Sequence, residues 1–307
     1  MSVSAVRIWS PSWPCPVGEV WQHWRRGASD PTYRVDHASR HWRGLRTPLG
    51  PVTVVVTPLN TVGEIRAEAW GPGADWVLEK LPTMLGADDD PSGFTPLHPE
   101  VVQARRLHPH WRLGRGGLVM EALVPAIIEQ KVTGQEAFGG FRRLVHRHGE
   151  RAPGPGEALH LWVQPSADTI RLIPSWEWLK LSIDPARSRT VLQVARVADA
   201  LERTLLVDPE VADTRLRSIA GIGVWTSAEV RSRAHGDPDA VSFGDYHLAK
   251  DIGWTLTGAE VDDAGLAELL EAYRPHRHRV QALLGMSGAH RPRRGPRMSP
   301  RTHLPTS

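Results

Sequence analysis

The stretch RLRSIAGIGVWTSAEVRSRAHGDPDAVSFGDYHLAK, from Arg215 to Lys250, holds the residues whose types and order suggest chemistry. Gly221 and Gly223 flank Ile222, Trp225 and Thr226 follow, and Asp245 comes after Gly244 downstream. Glycines let the backbone take positive φ and let a neighbour approach closely. A helix beginning near Val224 leaves its first N–H groups and its positive dipole end facing outward. That is a ready anion site, and a DNA phosphate is the obvious anion. Ile222 between the glycines would plug the turn into a core. The same glycines also suit a plain helix–helix connection, and on the turn alone both readings stand. Asp245 has a plain reading too, as the N-cap of a helix starting at Tyr246.

The rest of the chain must position this stretch. Its 307 residues suffice for two domains with a sizeable core. The first eighty or so read as strands. TPLGPVTVVVTPL has a turn-like Pro-Leu-Gly-Pro and then a β-branched run, Val52 to Thr57. Val62 to Trp70 alternates apolar and polar, as a half-buried strand does. A short helix fits GEVWQHWRR, and the Gly/Pro-marked segment GPGADWVLEKLPTMLGADDDPSGF closes the sheet region. From about Leu85 the pattern is helical, with two helices on either side of Gly134. DPARSRTVLQVARVADALERTLL reads as one amphipathic helix with Asp184 as N-cap and Pro185 as its first residue. Further helices stop at Gly221 and Gly236, and a last one breaks near Pro275. The expected fold is α+β: a β-rich N-terminal part (1–84), a helical part (85–288) and a Pro/Arg-rich tail (289–307) without acidic residues.

Composition excludes several classes. One cysteine, Cys15, allows no internal disulfide and no four-cysteine metal or iron–sulfur site, and it fits a reducing cytoplasm. The start has no charged head followed by an apolar run, so no signal peptide is expected. No run of eighteen apolar residues exists, so no transmembrane helix is expected. The formal net charge is only +3, but the sequence pI near 9.3 is a mild hint of polyanion binding. Most of the thirteen tryptophans are expected to be core anchors. His108/His110, His146/His148 and His276/His278 are i, i+2 pairs on different helix faces, read as surface residues. Arg291, Arg293, Arg294, Arg297 and Arg301 either graze a DNA backbone or merely solubilise the tail.

Leu216 to Thr226, with the segment GDPDAVSFGDYHLAK, resembles the helix-hairpin-helix superfamily of DNA glycosylases, and more closely the DNA-3-methyladenine glycosylase II family. LPTMLGADDD, LHP, ALVPAIIEQKVTGQEA and YRPHRHRV resemble further blocks of that family, so the likeness spans about residues 80–285. It implies a small antiparallel β domain followed by an all-α helix-hairpin-helix domain. It implies that Asp245 is the catalytic carboxylate, facing the anomeric carbon of a flipped nucleotide while also capping its helix. Trp225 and Tyr246 fall on the base pocket, where an electron-rich ring stacks a cationic base. Gly221, Gly223, Thr226, Gln130 and Lys131 fall on DNA-binding positions. The carbonyls of Arg217, Ile219 and Ile222 fall where the family holds a monovalent cation; no other cofactor is implied.

Four positions depart from the pattern. Ala220 stands where the family has Pro, Lys131 where an apolar wedge fills the gap left by the flipped base, and Gly285 and Glu229 where the pocket has aromatics. Trp225 occupies the place of the nucleophilic Lys of the glycosylase/lyase branches, and Trp cannot form a Schiff base. The sequence thus points to a monofunctional glycosylase of base-excision repair that acts on alkylated purines in double-stranded DNA. It would work in the cytoplasm at the bacterial nucleoid, as a monomer because each chain has one DNA site. The alternatives are a non-catalytic damage-sensing DNA-binding module on the same fold, and a glycosylase for deaminated bases such as hypoxanthine.

Overall fold

The computed structural model describes residues 4–59 and 61–292, so the tail from Arg293 onward lies outside the described residues. The chain opens with β1 (Ser4–Trp9), then α1 (Val17–Trp21) and a 3-10 turn at Gln22–Trp24, where the short helix was expected. Next come β2 (Tyr33–Val35), β3 (His41–Thr47), β4 (Gly50–Leu59) and β5 (Glu64–Trp70). These strands form one antiparallel sheet in the order β1-β5-β4-β3-β2. Thr47 pairs with Gly50, so Pro48 and Leu49 make the tight turn that the Pro-Leu-Gly-Pro sequence foretells.

The valine run of β4 reads as continuous because both faces of the strand are covered. Val52, Val54 and Val56 enter the main core with Val77, Leu78 and Leu81 of α2 (Ala74–Met84). Val55 points the other way, into a smaller cluster with Trp42, Ala152, Leu161 and Val163. On that side the backbones press together. A Cβ on Gly44 would stand 2.1 Å from the Trp162 carbonyl oxygen, so only glycine fits in β3 there. The covering segment is a departure from the purely helical reading after Leu85. It is a small hairpin of β6 (Glu150–Arg151) and β7 (Trp162–Val163).

The remaining elements are helical: α3 (Pro99–Leu107), α4 (Val119–Ile128), α5 (Gly134–His148), and α6 (Pro155–Ala158) inside the small hairpin. Then follow α7 (Ala167–Arg171), α8 (Ser175–Lys180), α9 (Pro185–Arg196) and α10 (Ala198–Glu202). Last come α11 (Pro209–Arg217), α12 (Val224–Val230), α13 (Leu248–Thr257), α14 (Asp263–Glu271) and α15 (Arg277–Met286). The fold is thus α+β, as expected, and one continuous hydrophobic cluster joins the inner face of the sheet to the helices.

α4 is apolar almost all round and almost wholly buried, as a central helix must be. Its N-terminus has no local side-chain cap. The Glu202 carboxylate at the end of α10 supplies one, accepting from the N–H groups of Val119 (2.8 Å) and Met120 (2.9 Å). Asp184 caps α9 as expected, accepting from Ala186 and Arg187 N–H. The single helix expected beyond it does not form. The chain leaves helical geometry at Val197 (φ −120°, ψ 22°), continues as α10 and ends in a 3-10 turn at Arg203–Leu206. That bend accompanies the delivery of Glu202 to α4.

The surface reading of the histidine pairs holds for His110 and fails for His276 and His278. His276 precedes α15 rather than lying on it, and packs edge-on to Phe94. The loop at Pro238–Ala240 covers the start of α15. Pro238 O accepts from His278 N–H (2.8 Å), and the His278 Nδ1 lies 3.0 Å from Ala240 O. Burial first, then the Arg233 charge, pushes the His278 pKa down to about 4 against the opposing pull of Glu229.

Candidate functional site

The hairpin is α11, the Gly221-Ile222-Gly223 turn, and α12. Gly221 has φ +92°, and a Cβ there would stand 2.2 Å from Thr190 Oγ1 on α9. Both the dihedral and the contact require glycine. Gly223 serves differently: it is extended (φ −96°, ψ −176°), exposed, and a Cβ on it would meet open space. Ile222 is buried and anchors the turn to the core, as expected. The N–H groups of Gly223 and Val224 find no acceptor among the described residues, and both residues are exposed. The two helices are clamped by Ser227 Oγ donating to Asp213 Oδ1 (2.7 Å). Arg217 and Arg231 flank the same carboxylate at 3.1 and 3.5 Å.

The Ile219 carbonyl accepts one hydrogen bond, from Ile222 N–H at 3.0 Å, and those of Arg217 and Ile222 accept none among the described residues. Lone pairs therefore remain on all three oxygens. Neutral oxygens at the end of a helix suit a monovalent cation, so the donor set fits the ion that the family likeness implies.

The next landmark is the turn before α13. Gly244 has φ +85°, and its N–H donates to Asp263 Oδ2 (2.9 Å). Asp245 follows, half-buried, and its Oδ1 accepts from the N–H groups of His247 (2.8 Å) and Leu248 (2.9 Å). α13 begins at Leu248, two residues later than the sequence suggested, and Asp245 holds its first turn from outside. Oδ1 is thereby fixed, and Oδ2 accepts nothing among the described residues. Trp225 is half-buried, and its Cβ lies 3.9 Å from where a Cβ on Gly244 would be. The fold thus brings the first turn of α12 against the Asp245 turn. Tyr246 is 73% exposed, edge-on to His247, with Lys250 Nζ 4.8 Å from its ring centroid.

Gln130 and Lys131 sit beyond α4. Gln130 Nε2 donates to Gly221 O (2.9 Å) and to Thr226 Oγ1 (2.7 Å). Both its N–H groups therefore brace the hairpin. Thr226 is 2% exposed, so its side chain is an internal acceptor for Gln130 rather than a surface group. Lys131 is exposed and holds φ +55°, a left-handed conformation that costs a residue with a side chain about 1–2 kcal/mol. The next helix starts at once, with Thr133 and Glu136 forming a reciprocal capping box. Lys131 is thus displayed at a sharp corner between two fixed helices. Arg291, considered for the DNA backbone, instead lies near Asp251 (3.7 Å) and Glu260 (3.3 Å).

A polar cluster beside Trp225 is not evident from the sequence. Glu229 accepts from Ser242 Oγ (2.6 Å) and pairs with Arg233 (2.5 Å). Ser242 in turn bonds Gln281 through both its hydroxyl and its N–H. Burial opposes charge on Glu229, but the Arg233 guanidinium and the Ser242 hydroxyl outweigh it and hold the carboxyl below the usual range. Arg26 and Glu129 pair nearby at 3.2 Å. Glu229 was legible only as a departure. Gln281 directly follows the YRPHRHRV block, and nothing local marks it as a partner of Ser242.

No family model matches the chain. Over 182 residues, 57% of its length, it is homologous at 29% identity to the "Probable bifunctional transcriptional activator/DNA repair enzyme AlkA" of Mycobacterium tuberculosis. It spans about a third (34%) of the length of that relative. In three dimensions it is similar to a 3-methyladenine DNA-glycosylase from Archaeoglobus fulgidus, with TM-score 0.73 and 19% identity over 90% of this chain and 96% of that one. It is also similar to the Clostridium acetobutylicum 8-oxoguanine glycosylase/lyase, solved with double-stranded DNA. That match has TM-score 0.68 and 9% identity over 94% of this chain and 98% of the other. The likeness to the DNA-3-methyladenine glycosylase family read from the hairpin is therefore supported by homology, and the fold is that of helix-hairpin-helix glycosylases.

Proposed function

We propose that this protein is a monofunctional DNA glycosylase: it binds duplex DNA as a monomer, flips out a damaged purine and hydrolyses its N-glycosidic bond. The observation that carries the reading is the Asp245 turn. Its carboxylate is oriented through Oδ1 by two backbone N–H groups, keeps Oδ2 free, and lies in a turn packed against the Trp225 end of α12. A fixed carboxylate stabilises the oxocarbenium-like charge that develops as the base leaves, or orients the attacking water. Trp225 and Tyr246 would form walls for the extruded base. The outward N–H groups of Gly223 and Val224 would receive a phosphate. A monovalent cation on the carbonyls of Arg217, Ile219 and Ile222 would add positive charge beside that phosphate. Gln130 and Thr226 would act by bracing the turn, and Lys131 would stand by the gap in the stack. Extrusion costs a few kcal/mol, least for weakly paired damaged bases, and this favours lesions over normal bases.

The AlkA likeness favours alkylated purines such as 3-methyladenine and 7-methylguanine, and it supports a place in base-excision repair in the cytoplasm. Trp225 in place of a lysine favours base release without strand cleavage. The test is release of free base from methylated duplex DNA, with alkali added to half of each sample. The expected result is free alkylpurine with strand breaks only after alkali. Breaks without alkali would contradict monofunctional chemistry, and salt-sensitive binding without any base release would replace the enzyme by a damage-sensing module.

A further inference from the structure

Edge strand β2 and the small β6–β7 hairpin line a cleft of about 650 Å³. The walls are tied together, since Trp162 N–H donates to Pro31 O (2.8 Å) and Gly44 N–H to Thr32 O (3.0 Å). Arg25, Arg34, Arg151, His146, His160 and Trp162 carry its chemistry. Arg151 faces Trp162 across the hairpin, with its guanidinium 4.3 Å from the ring centroid and Nη1 3.2 Å from His160 Nδ1. Arg34 Nη1 donates to Leu159 O (3.1 Å). Arg25 donates to Gly27 O (3.2 Å) and Ala28 O (3.4 Å). A guanidinium has five N–H donors, so each of the three is held in place with most of its donors left over. None of them pairs with a carboxylate among the described residues, and the other residues of the chain include no Asp or Glu. The one acid in the lining, Asp30, is already engaged. Its Oδ1 accepts from the Thr32 N–H and hydroxyl (2.8 Å each), and its Oδ2 from Arg26 N–H (2.6 Å). Burial first, then the Arg142 and Arg151 charges, hold the His146 pKa below the usual range. The cleft is therefore a prearranged cationic groove.

A line of contacts joins the cleft to the hairpin. Gln130 holds Gly221 O, Lys131 follows it, and α5 starts at Gly134. A Cβ on Gly134 would stand 3.8 Å from the Phe138 ring, and one on Gly27 would stand 2.9 Å from it. Arg25, bonded to Gly27 O, thus stands beside the first turns of α5. His146 lies twelve residues beyond Gly134 on the same helix. That is a distance of about 18 Å, or about five base pairs of duplex. We propose that the cleft is a second DNA contact, which takes the sugar–phosphate backbone about five or more base pairs from the flipped nucleotide; this rests on the duplex-DNA reading above. Guanidinium forks match phosphate oxygens in pairs, and charge-assisted bonds of this kind are strong. Trp162 carries Arg151 and lies 5.2 Å from the His146 ring, so it holds the arginine rather than stacking a nucleobase. The contact positions the duplex and reads no sequence.

The experiment measures affinity of the full chain, across a range of salt, for duplexes of about 24 base pairs with one abasic site. The site is placed at the centre, or about four base pairs from one end or from the other, so that each short arm in turn stops before the cleft. Arg34→Gln combined with Arg151→Gln removes two charges and leaves polar side chains. Thermal unfolding reports folding, and Arg25→Gln, a single exposed change, decides the matter if the double variant does not fold. The double variant should bind the central-site duplex about 10-fold more weakly, with a log–log salt slope shallower by about 1–2. It should show the same loss on one end placement and less than about a twofold change on the other, whose short arm never reaches the cleft. No loss on any duplex, or an equal loss at both end placements, overturns the proposal. Binding of inorganic phosphate or dAMP that the double variant abolishes, with duplex affinity unchanged, overturns it in favour of a free phosphate ligand. Base release from methylated duplex by the unmodified protein is measured alongside. Release without a placement-dependent loss removes the cleft contact alone; the loss without release keeps the contact and removes the glycosylase reading. No duplex binding by the unmodified protein removes both.

Discussion

At the scale of single residues the site combines fixed groups with exposed ones. Asp245 is fixed through one carboxylate oxygen, and Lys131 is exposed at a strained corner. Strain at an exposed position persists when its surroundings impose it, and such positions gather at functional sites. Replacing Lys131 by glycine relieves the positive φ and adds unfolded-state entropy, two effects of similar size and opposite sign. Lys131→Gly should therefore keep unfolding stability within about 1 kcal/mol while slowing base excision. Urea unfolding and base release on one preparation would show this, and unchanged excision would remove Lys131 from the handling of the flipped-out gap. Trp225→Ala should weaken excision through KM as well as kcat, because stacking holds the base before and during bond cleavage. Steady-state kinetics on the released lesion would separate the two.

At the scale of elements, the hairpin is positioned from two directions. α9 leaves room for Gly221 only without a Cβ, and Gln130, two residues beyond the end of α4, holds the turn by two hydrogen bonds. Gly221→Ala should destabilise the fold by on the order of 2 kcal/mol, since a positive φ and a buried overlap with Thr190 add together. Adding Thr190→Ala should recover part of that loss, and thermal unfolding of the single and double variants measures both. Much of this level was legible in the sequence. Asp184 before Pro185, the Pro-Leu-Gly-Pro turn and the Gly-Ile-Gly hairpin are local signals, and local signals survive in a single chain. What was not legible is long-range. Glu202 caps α4 from a separation of 83 residues, Gln281 holds Ser242 from 39, and Trp162 presses on Gly44 from another part of the chain. Each of those residues is ordinary where it stands, and only tertiary packing gives it a partner. The helix that fails at Val197 is the converse case: a good local pattern yields to a tertiary demand.

At the scale of the molecule, burial of histidine sets a pH dependence. His278 and His235 each titrate near 4 in the folded chain, chiefly because burial disfavours the charged ring. Unfolded histidine titrates near ~6.5, so below that pH the unfolded state binds more protons. The stabilisation is complete above about pH 6.5 and is lost as pH falls toward 4, on the order of 1–2 kcal/mol per histidine by pH 5. Denaturant midpoints at pH 7 and pH 5 should differ accordingly, and His235→Gln should narrow the gap; an unchanged gap would place the acid sensitivity elsewhere. No helix among the described residues is long and apolar enough to cross a membrane. If the outward hairpin N–H groups and their surroundings contact DNA phosphates, affinity for duplex DNA should fall linearly in log–log form as salt rises.

The most direct test compares the unmodified protein with Asp245→Asn for two properties, release of free base from methylated duplex DNA and affinity for an abasic duplex. Asparagine keeps an oxygen to accept from His247 and Leu248 N–H and removes only the charge. The account predicts a loss of base release of about 100-fold or more with abasic-duplex affinity retained. Base release at an undiminished rate by a folded Asp245→Asn protein would contradict it, because the carboxylate would then have no part in breaking the glycosidic bond.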